Sequence, residues 1–255
     1  MRSSSKPQSH ARRPRLPEGL RIYAIGDVHG RADLLERLFD LIDADLGRRP
    51  APRALHVLLG DYIDRGPASR AVIDGILARA VQCELVTLKG NHDAFLLQAL
   101  DDPATMGDWL LMHGVETLAS YGLTSANVAG SRLSDLARAF AAALPPSHVD
   151  FFRGLRSSFL CGDFFFAHAG VRPGVDLARQ SERDLLWIRQ EFLRHEGDFG
   201  KVVVHGHTPV HNVERRRNRI GIDTGAYASG KLTALVIEGS DLRVIDTATA
   251  ALRAA

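Results

Sequence analysis

Two carboxylates follow an apolar segment in the first third of the chain. Residues 55–59 are almost entirely apolar, and Asp61 and Asp64 come next, between Gly60 and Gly66. An apolar run of this length is typical of a buried strand, and open α/β sheets bind ligands beyond the carboxyl ends of their strands. Two carboxylates this close together repel each other unless cations share the site. The sequence therefore predicts a metal site at this strand end.

Four further apolar segments end in the same way. The polar side chains that follow them are Asp27 and His29 after residues 21–25, Asn91, His92 and Asp93 after residues 84–88, His168 after residues 164–167, and His205 and His207 after residues 202–204. Oxygen and imidazole donors without thiolates favour metals such as Mn, Fe or Zn. Two such ions about 3.5–4 Å apart can polarise a phosphoryl group and lower the pKa of a bound water. The sequence supplies donors for two such ions.

The order of these motifs resembles that of the PPP-type serine/threonine phosphoprotein phosphatases, in particular their bacterial and phage members. The matching motifs are Gly26-Asp27-Val28-His29-Gly30, Gly60-Asp61-Tyr62-Ile63-Asp64-Arg65-Gly66, Gly90-Asn91-His92-Asp93, His168-Ala169-Gly170 and Gly206-His207-Thr208. The resemblance spans residues 21 to 245, and an ordered set of motifs is far more specific than any one of them. It implies the calcineurin-like metallophosphoesterase fold.

The resemblance also implies a role for each matching residue. Two divalent ions, Mn with Fe or Zn as alternatives, would be held by six side chains: Asp27, His29, Asp61, Asn91, His168 and His207. His92 would be the general acid and Asp64 would orient its ring, which agrees with the chemistry, because a carboxylate-supported imidazole titrates near neutral pH. Arg65 and, by a looser match, Arg189 would bind the phosphate oxygens.

Some nearby residues are not assigned to the predicted metal site. Asp93 stands where eukaryotic members of the family have glutamate, and we expect it outside the set of metal ligands. His205 and His207 alternate along a strand end, so their rings should face opposite ways, and we expect His205 to pack behind the site. For Asp223 and Tyr227 two interpretations stay open: they line the site, or they form a plain turn.

The elements that position these residues follow from hydrophobic periodicity. Helices are predicted from Arg31 to about Leu46, after Pro67, and at about residues 183–194. The first two lie between the first three predicted strands, which gives a βαβαβ order with parallel strands. The later strands are predicted at residues 158–161, 163–167, 201–204, 210–213, 219–222, 232–237 and 242–245. We expect an α/β (α+β) fold of two stacked mixed β-sheets flanked by helices, with the later strands in a second, largely antiparallel sheet.

The distribution of charge along the sequence suggests how the chain is divided. Residues 1–20 carry a net charge of +4, whereas the whole chain carries +2. Residues 21–255 therefore carry −2 and are slightly acidic. We expect a disordered basic leader over residues 1–20 and a single domain over residues 21–250. A helical insertion at about residues 94–150 either shapes substrate access or is a plain packing layer. The acidic remainder argues against nucleic-acid binding, which needs a concentrated positive surface.

The remaining composition bears on location and assembly. No apolar run is long enough to cross a bilayer. The two cysteines, Cys83 and Cys161, lie in apolar surroundings without CxxC spacing, which is typical of a reducing compartment. We therefore expect a cytoplasmic monomer with no membrane partner.

Three functions are compatible with these observations. The first is hydrolysis of phosphoserine or phosphothreonine in proteins by direct attack of a metal-bound water or hydroxide. The second is hydrolysis of symmetrical diadenosine tetraphosphate, because hydrolases of that phosphoanhydride share these motifs and this size. The third is a non-catalytic phosphoprotein-binding module, against which the presence of both His92 and Asp64 argues. If the insertion shapes substrate access, it sets the depth of the pocket and would decide between the first two.

Overall fold

The first third of the chain forms a parallel β-sheet with helical crossovers. The computed structural model describes residues 13–124 and 130–248. Its first elements are β1 (Leu20–Ile25), α1 (Ala32–Arg48), β2 (Arg53–Leu58), α2 (Ser69–Ala80) and β3 (Glu84–Thr87). β2 pairs in parallel with both β1 and β3, which confirms the predicted βαβαβ order. All six residues of β1 are buried, because the strand is covered on both faces.

Helices follow β3 and cover the outer face of the first sheet. They are α3 (Asn91–Asp101), α4 (Met106–Trp109), α5 (Val115–Ser120), α6 (Leu133–Ala143) and α7 (Pro146–Arg153). A turn of π-helix, Leu110–Gly114, joins α4 to α5. The insertion predicted at about residues 94–150 is helical in most of its described part, and residues 125–129 lie outside the described residues. Trp109 and Phe140 bury their side chains in one cluster with Tyr23 and Leu58.

The second sheet is mixed, so the prediction that it is largely antiparallel is wrong. Its strands are β4 (Ser158–Cys161), β5 (Phe164–Ala167), β6 (Val202–His205), β7 (Glu214–Arg215) and β8 (Arg219–Gly221), in the order β4-β5-β6-β8-β7. The central pairs β5–β6 and β6–β8 are parallel, and the outer pairs are antiparallel. A short apolar run does not encode the direction of its neighbour, which is why the sequence did not reveal this. Residues 210–213, predicted as a strand, are not one.

The helix predicted at about residues 183–194 is two helices, α8 (Glu182–Trp187) and α9 (Gln190–Leu193). The helical conformation is interrupted between them because the backbone of Ile188 is extended, with ψ at 140°. Apolar residues continue at helical spacing across the break, so the pattern concealed it. As a consequence Arg189 lies at a corner between two helices.

The last two strands belong to the first sheet, so the prediction that they join the second sheet is wrong. After the short helix α10 (Ala226–Ser229), β9 (Thr233–Glu238) pairs antiparallel with β1, and β10 (Asp241–Asp246) pairs with β9. The first sheet therefore has the order β10-β9-β1-β2-β3. Alternating apolar residues suit the inner face of either sheet, so periodicity could not choose between the two.

The two sheets stack face to face with helices outside, which confirms the predicted fold class. Ile22 and Val57 of the first sheet share a buried cluster with Phe164 and Val204 of the second. Leu16 joins this cluster and is 1% exposed. The packed chain thus begins before residue 21, while residues 1–12 of the predicted leader lie outside the described residues. Within the described ranges, no helix has the length and apolar character needed to span a membrane.

Candidate active site

The six predicted metal ligands all follow the carboxyl ends of strands. Asp27 and His29 follow β1, Asp61 follows β2, Asn91 follows β3, His168 follows β5 and His207 follows β6. The parallel pairing within each sheet brings the ligands of that sheet to one edge. A hydrogen bond of 2.9 Å from the backbone N–H of His207 to Oδ2 of Asp27 joins the two edges. All six side chains are buried.

Much of the site's backbone is in the left-handed region, which L-residues rarely adopt. Five residues there have φ between 46° and 69°: His29, Asp61, Asp64, Arg65 and His207. Each such conformation costs on the order of 1–3 kcal/mol, and such residues cluster at functional sites. In the described ranges only one other non-glycine residue, His113, shares this conformation. The strain is therefore concentrated where the donors meet.

Asp61 lies at the centre of the donors. Its Oδ2 atom is 3.5 Å from Nε2 of His29 and 3.4 Å from Nε2 of His168. Its Oδ1 atom accepts a hydrogen bond of 3.0 Å from the backbone N–H of His92. The carboxylate is 2% exposed. The carboxylate of Asp61 is thus in position to be a ligand of two cations, one on the His29 side and one on the His168 side.

Asp27 and His29 form one side of the site. The Nδ1 atom of His29 is 2.9 Å from the backbone carbonyl of Ile63, and because a carbonyl only accepts, Nδ1 carries the proton and the lone pair of Nε2 faces Asp61. Burial lowers the pKa of His29 to about 3, which keeps the ring neutral. The Oδ1 atom of Asp27 is buried and has no hydrogen-bond partner within residues 13–124 and 130–248. Burial and the neighbouring Asp223 raise the pKa of Asp27.

Asn91, His168 and His207 form the other side. The Nδ1 atom of His168 is 2.9 Å from the carbonyl of Leu59, so Nδ1 carries a proton, and Nε2 lies 3.0 Å from Oδ1 of Asn91. Although burial opposes protonation, the carboxylates of Asp61 and Asp27 raise the pKa of His168 to about 9. Burial and the nearby His168 lower the pKa of His207 to about 2.

This arrangement fits divalent cations. Asp61, His168 and His207 bring one donor atom each within 4.8 Å of one another. His29 and Asp61 do so together with His92, which was predicted as the proton donor and not as a ligand. The Nε2 lone pair of the neutral His29 ring faces the carboxylate of Asp61, and the buried Oδ1 atom of Asp27 has no hydrogen-bond partner among the residues that the structure describes. A cation is what such a set of acceptors lacks, and a donor set of oxygen and imidazole suits Mn, Fe or Zn.

His92 and Asp64 form a buried pair beside the donors. The Nδ1 atom of His92 is 2.7 Å from Oδ2 of Asp64. Burial lowers the basicity of the ring, but Asp61 and Asp64 outweigh it and raise the pKa of His92. Because Asp64 occupies Nδ1, only Nε2 can face a ligand. One nitrogen is thus held by a carboxylate, and the other, 3.3 Å from Nη2 of Arg65, is the one from which a proton could pass to a bound ligand.

The insertion holds Asp64 in place, a feature that sequence reasoning missed. Trp109 donates its indole N–H to Oδ2 of Asp64 at 3.0 Å, and the hydroxyl of Thr117 donates to Oδ1 at 2.6 Å. Thr117 Oγ1 also accepts the backbone N–H of Asp64 at 2.9 Å. Both residues lie some fifty positions further along the chain, so no local pattern could reveal them. The insertion therefore supports the site directly.

Asp93 ties two strand ends together. Its carboxylate accepts backbone N–H groups from Gly90 at 2.8 Å, from Asp61 at 2.9 Å and from Tyr62 at 3.2 Å. Burial and the charge of Asp61 raise the pKa of Asp93 to about 7. All of its described contacts are with backbone, which agrees with its predicted place outside the ligand set.

Two arginines lie at opposite ends of the donors. Arg65 places Nη2 3.3 Å from Nε2 of His92, and its guanidinium lies over the ring of Tyr227, 4.7 Å from the centroid. Arg189 donates from Nε to Nε2 of His207 at 3.1 Å. Planar guanidinium groups bind phosphate oxygens in pairs. The structure thus brings both predicted phosphate-binding residues to the site.

The residues left open by the sequence are now placed. The ring of His205 packs edge-on against Phe192 with centroids 4.9 Å apart, behind the site, as expected. Asp223 follows β8 and accepts the backbone N–H of Gly225 at 2.8 Å. Burial raises its pKa to about 6. Asp223 directly follows a strand, as the predicted metal ligands do, and this position in the sequence could have indicated that it lies close to Asp27. Tyr227 packs against His29, with centroids 5.5 Å apart.

Comparison with known proteins gives one family and a consistent set of relatives. A family profile described as calcineurin-like phosphoesterase matches residues 20–230. The asymmetrical bis(5'-nucleosyl)-tetraphosphatase PrpE of Anoxybacillus flavithermus is 27% identical, covering 83% of this chain and 88% of its own. The symmetrical bis(5'-nucleosyl)-tetraphosphatase of Dechloromonas aromatica is also 27% identical, covering 88% of this chain and 95% of its own.

Solved structures share the fold. A crystal structure of a putative diadenosine tetraphosphatase superimposes with a TM-score of 0.60 at 22% identity, covering 89% of this chain and 93% of the other. A cold-active protein tyrosine phosphatase gives a TM-score of 0.54 at 15% identity, covering 94% of this chain and 84% of the other. At these identities the likeness concerns the fold alone.

Replacing Gly206 by alanine should weaken metal binding. A Cβ atom at Gly206 would lie 2.0 Å from Oδ1 of Asp27, so the carboxylate has to move. We expect metal affinity to fall about tenfold or more, measured by competition with a chromophoric chelator. The control is Gly75→Ala in α2, where a Cβ atom meets nothing within 4 Å and should add roughly 0.5–1 kcal/mol of stability. Unchanged affinity in Gly206→Ala would contradict the assignment of Asp27.

Replacing Asp64 by asparagine should change the pH profile of turnover. A proton donor acts only when protonated, so the rate falls as pH rises through the pKa of His92. Loss of the Asp64 charge lowers that pKa, so the alkaline limb should move to lower pH and kcat should drop about 10²-fold. Steady-state rates across pH check this, with metal content measured in parallel. A limb that stays in place would mean that His92 is not the acid.

Replacing Thr117 by valine should impair turnover from within the insertion. The change keeps the shape but removes the Thr117 hydroxyl, which accepts the backbone N–H of Asp64 and donates to its Oδ1 atom, while Trp109 still donates to the carboxylate. The unfolding free energy should therefore fall by about 1–3 kcal/mol. kcat should fall while metal content stays the same. Ser120→Ala in the same helix is the matched control, because its hydroxyl donates to the Thr117 carbonyl and not to Asp64. Equal kcat in the two variants would refute the role of Thr117.

Proposed function

The chain belongs to the calcineurin-like phosphoesterase family, and on that premise we propose that it hydrolyses the phosphoanhydride bridge of bis(5'-nucleosyl) tetraphosphates. The metal-dependent part of this proposal is carried by one observation, the buried and unpartnered Oδ1 atom of Asp27 beside converging imidazole lone pairs. The substrate is supported by relatives that carry this activity in their names and align over more than four-fifths of the chain.

We assign the cations to the donors described above. Asp27 and His29 would hold one ion, Asn91, His168 and His207 the other, with Asp61 between them. When bound, two divalent ions, which we propose to be Mn with Fe or Zn as alternatives, would polarise the phosphoryl group and make water more acidic. The remaining chemistry falls to side chains around them.

His92 is the proposed proton donor. Its Nε2 atom would give a proton to the bridging oxygen that leaves with one nucleotide half, while Asp64 keeps the ring in place through Nδ1. The pKa of His92 is raised by Asp61 and Asp64 against the effect of burial, so the ring is more often protonated. The hydrogen bonds from Trp109 and Thr117 fix Asp64 and thereby the direction of the donated proton.

The two arginines suit a long anion. Arg65 lies at the His92 end of the donors and Arg189 at the His207 end. A tetraphosphate bridge carries several charged phosphates, so different phosphates can contact the two guanidinium groups at once. A single phosphate on a serine has only three free oxygens, which the metals and both arginines would have to share. This favours the second of the three functions that the sequence allows. The paired His92 and Asp64 argue against a module without catalysis.

A direct competition of substrates tests the proposal. The full chain, loaded with Mn, is given diadenosine tetraphosphate or a phosphoserine peptide, and products are separated by anion-exchange chromatography. We expect kcat/KM to favour the dinucleotide by about tenfold or more, equivalent to ~1.4 kcal/mol of transition-state stabilisation. A chelator should abolish turnover, and Mn should restore it.

Each product pattern has a defined meaning. Two molecules of ADP, or ATP with AMP, both support hydrolysis within the bridge and distinguish symmetrical from asymmetrical cleavage. Preference for the peptide would favour a phosphoprotein phosphatase, the first function that the sequence suggested. No turnover of either substrate by the metal-loaded chain would contradict the proposal.

A further inference from the structure

Two half-exposed aromatic side chains lie at the two ends of the metal-binding donors. Trp187 is 38% exposed and Tyr227 is 40% exposed. No other Phe, Tyr or Trp in the described ranges is as exposed. A large ring left open to solvent forgoes burial of its apolar surface, and exposed aromatic surface commonly marks a binding site. Their shared position relative to the donors is therefore informative.

The donors connect the two rings by a continuous series of contacts. In order, the residues are Tyr227, His29, Asp61, His168, His207 and Trp187. The ring centroids of Tyr227 and His29 are 5.5 Å apart, and those of Trp187 and His207 are 6.2 Å apart. Asp61 lies 3.5 Å from one imidazole and 3.4 Å from the other, and the centroids of His168 and His207 are 5.0 Å apart. A ligand extended over the donors would meet one aromatic ring at each end.

Trp187 opens onto a cleft that is large enough for a nucleobase. One edge of its ring packs against Phe95 at 5.4 Å between centroids, which fixes its orientation. The rest of the ring lines a cleft of about 950 Å³ between α3 and α8. Leu97 and Leu186 also line this cleft, and so does Arg183. The charged lining is mixed, with Lys89 and Arg183 on the basic side and Asp101, Asp102 and Glu182 on the acidic side. The surface in this cleft that suits a flat, polarisable base is therefore the ring of Trp187.

Tyr227 is held rigidly at the opposite end. It lies in α10, a four-residue helix between Gly225 and Gly230, both of which have left-handed backbones with φ of 67° and 68°. The carbonyl of Ala226 accepts a hydrogen bond of 3.1 Å from Nη1 of Arg31. Arg65 lies over the Tyr227 ring and His29 packs against it at an angle, while 40% of the residue stays exposed. An aromatic ring fixed in this way loses little side-chain freedom when it stacks on a ligand.

We propose that Trp187 and Tyr227 each stack on one nucleobase of a single dinucleoside polyphosphate, whose phosphate bridge lies across the metal ligands between them. The inference rests on the proposed function and adds the residues that recognise the two bases. Stacking tolerates any base, because every base has a π-face, so the site would accept adenine and guanine alike. It also explains why two exposed rings, and not one, flank the donors.

Binding measurements with three probes test the proposal. The probes are a methylene-bridged diadenosine tetraphosphate with two bases, adenosine 5'-tetraphosphate with one, and inorganic tripolyphosphate with none. Calorimetry on the Mn-loaded full chain gives the Kd of each. We expect Trp187→Ala to weaken the two-base probe about tenfold and the base-free probe less than twofold. Trp187→Phe retains a ring and should restore most of the affinity. Leu160→Ala, which removes an exposed apolar side chain from β4, is the control for nonspecific loss.

Tyr227 needs a separate comparison because its ring also supports Arg65. Tyr227→Phe should bind all three probes as the unmodified chain does. Tyr227→Ala should weaken the two-base probe about tenfold more than tripolyphosphate. Equal weakening of both probes would mean that the ring serves only Arg65, which overturns the assignment of Tyr227.

Intrinsic fluorescence gives an independent signal. The chain has two tryptophans, and Trp109 is fully buried, so a stacked base should quench chiefly Trp187. The two-base probe should quench fluorescence in the unmodified chain and far less in Trp187→Phe, whereas tripolyphosphate should quench neither.

The failure of this inference differs from the failure of the proposed function. If the chain hydrolyses the dinucleotide but Trp187→Ala and Tyr227→Ala leave its Kd unchanged, the stacking proposal is wrong and the function stands. If the unmodified chain neither binds nor hydrolyses the dinucleotide, the proposed function is wrong, and the stacking proposal is wrong with it.

Discussion

The position of one buried carboxylate, that of Asp61 between the imidazoles of His29 and His168, is the constraint on which the rest of the structure depends. A carboxylate at 2% exposure is costly to bury unless charge and hydrogen bonds compensate it. Part of the compensation is local, from the backbone N–H of His92. Protonation of His168, whose pKa is raised to about 9, supplies part of the rest, whereas His29 stays neutral, and cations bound on the two sides of Asp61 would complete the compensation. The fold makes this arrangement possible by bringing the ends of strands from both sheets together.

That convergence requires close approaches that few residue types allow. A Cβ atom at Gly90 would lie 2.2 Å from the backbone nitrogen of Asp61, and one at Gly206 would lie 2.0 Å from Oδ1 of Asp27. The loops also hold His29, Asp61 and His207 in left-handed conformations that are unfavourable for their types. Asp93 offsets part of this cost by accepting three backbone N–H groups from two strand ends. Strain at the donors is thus balanced by hydrogen bonds just behind them.

Local patterns in the sequence predicted the donors well, because each donor directly follows its own strand. The strand-end positions, together with the family resemblance that chose His207 over His205, singled out the six predicted metal ligands, His92 and Asp64, and the structure brings these residues together. Long-range features were less accessible. Trp109 and Thr117 reach Asp64 across 45 and 53 positions, and a tryptophan in an apolar helix looks like any core residue. The strands β9 and β10 were placed in the wrong sheet, because an alternating pattern specifies a buried face and not a partner.

The account's central claim is that these donors hold two cations with Asp61 between them, and anomalous diffraction from a crystal grown with Mn tests it most directly. Two anomalous peaks about 3.5–4 Å apart, each within bonding distance of one Asp61 oxygen, are the predicted result. One peak should also contact Asp27 and His29, and the other Asn91, His168 and His207. A single peak, or peaks that leave Asp61 without a metal contact, would contradict the account.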